Sequence, residues 1–282
     1  MRPEQKQEIQ RKARIMRHYI IDMMGCNGKQ GHLGGSNSIV EIVASLYFYK
    51  MNISPENWDN VNRDRLILSK GHAVLAQYAA LAELGFFPKD ELLRVKHLGS
   101  MLQGHPDMVK TPGIEANTGS LGMGLSVGLG MALGLKQDKI NQKVYVIIGD
   151  GELMEGQIWE AAMAAAHYKM DNLIAIIDKN RYQATGSVEE RMNSGDPIAK
   201  FNSLGWHVIE IDGHNVTEVC NALDTADEIK DKPTVIVANT VKGKYVSFAE
   251  NNVAFHNGVL TPELFQQAHK DIDNYICEEG EI

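Results

Sequence analysis

Two buried strands joined by one helix constrain the fold of this chain more than any other feature of its sequence. Residues 143–148 and 172–178 are nearly unbroken apolar runs, and residues 155–168 between them have the apolar spacing of a helix. Strands that are apolar on both sides lie in sheets with both faces covered, and a helical crossover joins parallel strands. The sequence therefore predicts an α/β fold, a three-layer, open and mostly parallel sheet with helices on both faces.

Three further strands extend this alternation. Residues 65–68, 206–211 and 233–238 are short apolar segments, and residues 215–229 between the last two have helical spacing. Ligands of such sheets bind in the crevice outside the carboxyl ends of the strands. Residues that follow the strands are therefore the first candidates for a functional site.

Length and charge limit the classes of protein to which this chain can belong. Its length suits one domain over residues 1–282, for which we expect an acidic C-terminal tail at residues 271–282. An excess of 36 acidic over 28 basic residues argues against nucleic-acid binding, and no apolar run is long enough to span a membrane. Cys26, Cys220 and Cys277 fit neither a disulfide framework nor a zinc site, which favours reduced thiols in a cytoplasmic protein.

Oxygen ligands follow two neighbouring strands of the predicted sheet. Asp150 lies between Gly149 and Gly151 after the first strand, and Asn180 follows the second. Carboxylate and amide oxygens are ligands that Mg²⁺ takes alongside phosphate oxygens or water. The glycines allow backbone N–H groups to approach a diphosphate, although Gly-Asp-Gly alone is also a common turn. The residues alone are therefore compatible with a magnesium–diphosphate site and with a plain turn at the end of the strand.

His32, His72 and His105 each follow a glycine. Each lies in a predicted loop or at a helix start, where an imidazole can bind hydroxyl groups and transfer protons near neutral pH. Metal binding is the rival interpretation, but no pair has the close spacing of a catalytic zinc site. We expect structural or exposed roles for the remaining isolated histidines, which are His18, His97, His167 and His207.

Three weaker patterns make predictions that the structure can test. Ser38 and Glu41 are spaced as a capping box at the start of a helix. The glycines of the segment 119–134 predict a helix that packs closely against another backbone. Lys242 and Lys244 either contact a phosphate or lie in a solvated loop.

Several short segments resemble the transketolase family, in the family's order. They are 31–36 (Gly-His-Leu-Gly-Gly-Ser), 69–73 (Ser-Lys-Gly-His-Ala), 104–107 (Gly-His-Pro-Asp), 119–124 (Gly-Ser-Leu-Gly-Met-Gly), 149–156 (Gly-Asp-Gly-Glu-Leu-Met-Glu-Gly), 212–214 (Asp-Gly-His) and 242–244 (Lys-Gly-Lys), with His256 near the end. The resemblance covers residues 16–258 and implies the thiamine diphosphate-binding fold with its diphosphate-binding domain. It also implies two cofactors, thiamine diphosphate and Mg²⁺.

The resemblance implies a role for each matching residue. The metal ligands are Asp150, Asn180 and the backbone carbonyl of Tyr182. The cofactor-binding residues are His72, Gly119, Leu121, Asp150, Gly151, Glu155 and Asn180, with Glu155 matching a buried glutamate that links paired active sites. The catalytic residues that line the substrate channel are His32, His72, His105 and His256.

The resemblance further implies that this chain needs a partner. In the family, a separate pyrimidine-binding domain supplies the glutamate that activates the cofactor, and this chain shows no segment for it. We therefore expect the partner to be a C-terminal transketolase subunit, in a heterotetramer of two copies of each chain. The implied reaction transfers a two-carbon ketol unit from a ketose phosphate to an aldose acceptor.

Three other functions compete with this interpretation. One component of a 2-oxo acid dehydrogenase would use the same cofactor, but the Gly-His pairs at His32, His72 and His105 argue against it. A non-catalytic homologue would not need the complete set of Asp150, Asn180 and histidines. An NAD-binding loop at residues 128–134 is disfavoured because its glycine spacing is short and no strand precedes it.

Overall fold

Five parallel strands form the centre of the molecule. The structure is a computed structural model that describes residues 1–278. The strands lie in the order β1-β2-β3-β5-β4, and every neighbouring pair is parallel. Their bounds are Arg65–Leu68 (β1), Val144–Gly149 (β2), Leu173–Lys179 (β3), His207–Asp212 (β4) and Thr234–Asn239 (β5). All five predicted strands are thus confirmed to within one residue at each end.

In the part of the chain that the structure describes, ten helices surround the sheet. They are Pro3–Met24 (α1), Leu33–Asn37 (α2), Val40–Ser45 (α3), Val74–Leu84 (α4), Met123–Gln137 (α5), Gly156–His167 (α6), Val188–Met192 (α7), Pro197–Ser203 (α8), Val216–Glu228 (α9) and Pro262–Glu278 (α10). Among the described residues no helix combines the length and apolarity that crossing a bilayer would require.

The two faces of the sheet belong to two separate apolar cores. Tyr145 and Ile147 of β2 pack with α1, α3, α4 and α9, whereas Val144, Val146 and Ile148 pack with α5, α6 and α8. Successive side chains of a strand point to opposite faces, so one uninterrupted apolar strand serves both layers. The three-layer architecture is confirmed.

The capping box predicted from Ser38 and Glu41 is wrong. Helix α3 begins at Val40, and no side chain caps it. Ser38 Oγ instead donates to Asp178 Oδ2 at 2.7 Å, and Glu41 forms a buried ion pair with Arg17 at 2.5 Å. Buried charges elsewhere in the chain need these two polar groups as partners, and that requirement overrides the local helix-start signal.

The glycine prediction for helix α5 is half confirmed. A Cβ at Gly124 would lie 2.7 Å from the Ser69 Cα, and one at Gly128 would lie 2.5 Å from a Val146 methyl group. Gly130 and Gly134 are exposed with no atom that such a Cβ would meet. Only the first half of α5 therefore requires glycine for close packing within the chain.

Helix α10 includes residues 271–278 of the acidic tail that we expect at residues 271–282. Helix α10 continues to Glu278, Ile272 is buried, and Asp271 accepts hydrogen bonds from the Ser247 N–H at 2.8 Å and Ser247 Oγ at 2.6 Å. Residues 279–282 and the side chain of Cys277 lie outside the described residues. Cys26 and Cys220 are free thiols, as expected.

Candidate functional site

A cavity of about 290 Å³ opens at the carboxyl edge of the sheet. The register brings the strand ends together, because Gly149 pairs with Asp178 and Asp178 pairs with Ala238. The cavity is lined by His32, Gly35, Lys70, His72, His105, Gly119, Leu121, Gly149, Asp150, Gly151, Glu152, Asn180, Tyr182, Gln183, Ala184, Lys242 and His256. Every site residue predicted from the sequence lies here except Glu155.

Asp150 is a buried carboxylate that forms no ion pair with any described residue. Its oxygens accept hydrogen bonds from the backbone N–H of Gly151, at 2.8 Å, and of Arg181. Burial, followed by the nearby charge of Asp178, raises the pKa of Asp150 to about 7. The chain thus holds an acceptor whose negative charge no described side chain neutralises.

Asn180 is oriented by the strand residue that precedes it by two positions. Its Nδ2 donates to Asp178 Oδ2 at 2.6 Å, and its Oδ1 accepts from the Tyr182 N–H at 3.1 Å. The carbonyl of Tyr182 accepts from Lys242 Nζ at 3.1 Å. Two of the three predicted metal ligands, Asn180 and Tyr182, therefore lie on one short segment beside the third, Asp150, whose carboxylate accepts from the Arg181 N–H of the same segment.

A fully buried ion pair lies beneath these ligands. Asp178 and Lys70 are 0% and 2% exposed, and Lys70 Nζ donates to Asp178 and to the Gly35 carbonyl. The hydroxyls of Ser38 and Thr240 also donate to Asp178. Although burial alone would raise it, the charge of Lys70 lowers the pKa of Asp178. Asp178 therefore remains ionised and holds the amide of Asn180 in place.

The four predicted histidines converge in one cluster. The ring centroid of His32 lies 5.1 Å from that of His72, 6.1 Å from His105 and 5.5 Å from His256. Burial, followed by nearby lysine charges, lowers the pKa of His32 to about 4, of His72 to about 2 and of His256 to about 3. Burial lowers that of His105 as well. The cluster is therefore neutral at pH 7 and can both donate and accept hydrogen bonds.

Lys242 faces this cavity, whereas Lys244 does not line it. Lys242 is 1% exposed, and its Nζ lies 2.9 Å from His256 Nδ1. Burial, followed by the charge of Lys70, lowers its pKa to about 8. Lys244 lines a neighbouring surface cleft and lies 3.8 Å from Glu250. The structure thus places one of the two candidate phosphate contacts inside the site.

Glu155, expected as a buried glutamate, is exposed in this chain, and the buried glutamate of the same turn is Glu152. Glu155 is the N-cap residue of α6 and does not line the cavity. Glu152 is 2% exposed and lines the cavity. Whether a second chain covers Glu155 is a question of assembly.

Sequence reasoning missed Lys70, Glu152 and Asp178, although each carried a signal. Asp178 is a charged residue at the end of an apolar strand, Lys70 lies between a strand and the Gly-His pair, and Glu152 follows Gly-Asp-Gly. Charged residues at the carboxyl ends of parallel strands are candidates for a site in any such sheet. The sequence does not reveal which groups these residues contact, because Lys70 and Asp178, like Glu152 and Ser69, are far apart along the chain.

Comparison with known proteins agrees with this geometry. The family model described as transketolase, thiamine diphosphate binding domain, matches residues 8–273. The chain is 45% identical to a 6-deoxy-6-sulfo-D-fructose transketolase subunit from Clostridium sp. (strain MSTE9), over 96% of this chain and 98% of that protein. It is 42% identical to an apulose-4-phosphate transketolase subunit from Phocaeicola vulgatus, over 88% of each.

Solved transketolase structures share the fold. A variant of the enzyme from Pichia stipitis matches with a TM-score of 0.87 and 31% identity, over 94% of this chain and 40% of that one. The enzyme from Campylobacter jejuni matches with a TM-score of 0.85 and 29% identity, over 97% of this chain and 43% of that one. The chain thus spans about two-fifths of these solved chains. The chain belongs to the transketolase family, whose thiamine diphosphate-binding domain it carries.

Proposed function

We propose that this chain is the N-terminal, cofactor-binding subunit of a two-component transketolase that binds thiamine diphosphate through Mg²⁺. The observation that carries the proposal is the convergence of Asp150, Asn180 and four neutral histidines on one cavity. The bound cofactor would supply the electron sink that allows a ketose carbon–carbon bond to break. The chain's own residues would bind and orient the cofactor and the sugar, and would exchange protons with the sugar.

The donor set fits Mg²⁺. Asp150 is a buried carboxylate without a cationic partner among the described residues, and a divalent cation would relieve its unfavourable charge. Asn180 Oδ1 and the Tyr182 carbonyl add two neutral oxygens, which leaves room for phosphate oxygens and water. In the present structure Lys242 Nζ contacts that carbonyl, so metal binding there requires the ammonium group to move.

The same edge fits an anionic diphosphate. Lys70 and Lys242 place two buried ammonium groups at the cavity. A Cβ at Gly151 would lie 3.0 Å from Gln183 Cγ, so a larger residue would crowd the space beside the metal ligands. We assign Gly151 to the diphosphate, and Gly119, Leu121 and His72 to the rest of the cofactor.

The neutral histidines fit a sugar substrate. Neutral imidazoles can accept a hydroxyl proton or donate to a carbonyl oxygen, and a charged cluster could not accept. We therefore assign His32, His72, His105 and His256 to hydroxyl contacts and proton transfer. Glu155, exposed here, would become buried where the assembled subunits meet.

A partner subunit completes the proposal. Both relatives described above are named as transketolase subunits, which supports a C-terminal partner that supplies the pyrimidine-binding domain, in a heterotetramer. The first name includes a sulfo group and the second a phosphate. We therefore propose that the donor substrate is a ketose with a terminal anionic group, and a sugar phosphate is the first candidate. The free thiols of Cys26 and Cys220 support a cytoplasmic location.

The test is an assay of the chain with and without its partner. Purified chain, thiamine diphosphate and Mg²⁺ are mixed with ketose phosphates, with 6-deoxy-6-sulfofructose or with a 2-oxo acid as donor. We expect ketol transfer only when the partner is present and only from a ketose. Full turnover by the chain alone would refute the split arrangement, and turnover of the 2-oxo acid alone would make it a dehydrogenase subunit. Cofactor binding without turnover of any donor would favour a non-catalytic homologue.

A further inference from the structure

Glu152 joins three separate segments of the cavity wall through one buried carboxylate. Its Oε1 accepts from the Gly122 N–H at 2.8 Å and from Ser69 Oγ, and its Oε2 accepts from the Gly149 N–H at 3.0 Å. Ser69 Oγ in turn accepts from the Gly124 N–H at 3.1 Å. Glu152 forms no ion pair with any residue that the structure describes, so these donors are its main stabilisation.

Each of the three segments carries residues that we assign to the cofactor. Ser69 begins the segment that continues to His72, Gly122 ends the loop that contains Gly119 and Leu121, and Gly149 precedes Asp150. These segments are far apart along the chain, and they meet at this carboxylate. One side chain therefore sets the distance between the wall for the diphosphate and metal and the wall for the aminopyrimidine.

The glycines around Glu152 let neighbouring segments approach more closely than residues with a Cβ could. Gly122 has a φ of 87°, and a Cβ there would lie 2.6 Å from Glu155 Cβ. A Cβ at Gly124 would lie 2.4 Å from Ser69 Cβ. The loop therefore approaches the turn after β2 as closely as backbone can. At that distance its N–H groups need an acceptor that is already in place.

We propose that Glu152 is a positioning residue that fixes the loop 119–122 relative to Gly149 and Asp150, so that one thiamine diphosphate can contact both. The inference rests on the proposed function. Each donor is an N–H or O–H group, so the position requires an acceptor at both oxygens. Glutamine has nearly the same shape but turns one of these oxygens into a donor. Glu152→Gln therefore places an amide N–H against the donor of at least one of the three segments, without leaving a cavity.

The test compares two probes on the chain assembled with its partner. Calorimetry measures the affinity for thiamine diphosphate and for inorganic diphosphate, each with Mg²⁺. We expect Glu152→Gln to lose about 10- to 100-fold in thiamine diphosphate affinity, as for other outer partners of metal sites. Inorganic diphosphate would contact the strand-end segment and the two lysines but not the loop 119–122, so the affinity for inorganic diphosphate should fall less. Ser69→Ala keeps both backbone hydrogen bonds to Glu152. It should therefore lose less thiamine diphosphate affinity than Glu152→Gln does.

The matched control is Glu160→Gln, an exposed glutamate on α6, which should bind both probes as the wild type does. Equal losses for the two probes would overturn the proposal, since a general destabilisation has that result. Unchanged thiamine diphosphate affinity in Glu152→Gln would overturn it too. If Glu152→Gln does not fold, unchanged affinity in Ser69→Ala decides against it. A wild-type assembly that binds neither probe would instead refute the proposed function itself.

Discussion

Two buried carboxylates in different regions of this chain differ in whether they form an ion pair. Glu41 lies in the helical layer, 4% exposed, between Arg17 at 2.5 Å and His214 Nδ1 at 2.9 Å. Asp150 lies at the cavity, 6% exposed, and accepts only from the backbone N–H groups of Gly151 and Arg181. The first forms an ion pair with a cation in direct contact, whereas the second forms no ion pair with any described residue.

The pKa values of the two groups show the consequence. Burial would raise the pKa of Glu41, but the charge of Arg17 and the hydrogen bond from His214 lower it to about 2. Burial and the charge of Asp178 raise the pKa of Asp150 to about 7. A protein keeps an uncompensated buried charge where a ligand supplies the compensation. The contrast separates a carboxylate that stabilises the fold from one that we assign to a metal.

The largest expected effect is the loss of unfolding free energy when Glu41 is replaced. Glu41→Gln leaves the buried Arg17 without its counter-charge, and breaking a buried pair in this way costs about 4 kcal/mol of unfolding free energy. Urea denaturation of the chain measures the loss. The control, Glu8→Gln, removes an ion pair with Arg11 whose side chains are 48% and 47% exposed, and should leave the stability unchanged. An unaffected Glu41→Gln variant would show that the pair does not stabilise the fold.

Low pH should remove most of the difference in unfolding free energy between the wild type and Glu41→Gln. Because the folded-state pKa of Glu41 is lowered from 4.5 to about 2, its contribution is complete above pH 4.5 and is lost as the pH falls towards 2. The unfolding free energies of wild type and Glu41→Gln should therefore converge by about 3 kcal/mol between pH 5 and pH 2. Denaturant titrations at several pH values measure this. A gap that stays constant over this range would contradict the assignment.

At the cavity, Asp150→Asn should lower cofactor affinity rather than stability, which is the opposite of the effect of Glu41→Gln. Cofactor affinity measured by calorimetry with Mg²⁺ and the partner should fall by about 100-fold, or about 2.8 kcal/mol. The stability of the chain alone should change little. The amide N–H of the new asparagine faces one of the two backbone donors from which Asp150 accepts, which costs stability. Because the pKa of Asp150 is raised, its ionisation costs folded-state free energy as the pH rises from 3.8 to about 7, and the variant avoids this cost. Normal cofactor binding by Asp150→Asn would refute the metal site.

The same two residues show what sequence can and cannot predict here. Asp150 was found because its position depends on the end of an apolar strand, and such strands are visible in the sequence. Glu41 was misassigned because Ser38 and Glu41 match a local pattern, while one real partner, His214, is 173 positions away. Charge pairing of that kind depends on how the layers pack, and no local spacing encodes it.

The site shows the same division. A family resemblance groups His32, His72, His105 and His256 in one channel, and the structure places neighbouring rings of this set 5.0 to 6.1 Å apart. Their neutral state depends on burial beside Lys70, Lys96 and Lys242, which appears only once the chain is folded.

The smallest expected effect comes from His214, which connects the two regions. The Val241 N–H donates to His214 Nε2 at 2.8 Å, so Nδ1 carries the proton that is donated to Glu41. Val241 precedes Lys242 at the cavity. His214→Ala removes one partner of Glu41 and leaves the half-buried Val241 N–H without its acceptor, which should cost about 2 kcal/mol of stability. The loss is smaller than for Glu41→Gln because Arg17 still compensates the carboxylate.

Cofactor affinity of the same variant tests how separate the regions are. Without His214 the segment that carries Lys242 is less firmly held, so we expect a loss of only a few-fold, far below that of Asp150→Asn. His167→Ala, an exposed histidine at the end of α6, serves as the control for both measurements. An affinity loss as large as that of Asp150→Asn would mean that the Glu41 region also determines cofactor binding. Because His214 is the contact through which Glu41 could act on Lys242, this variant is the most sensitive probe of the division between the two carboxylates.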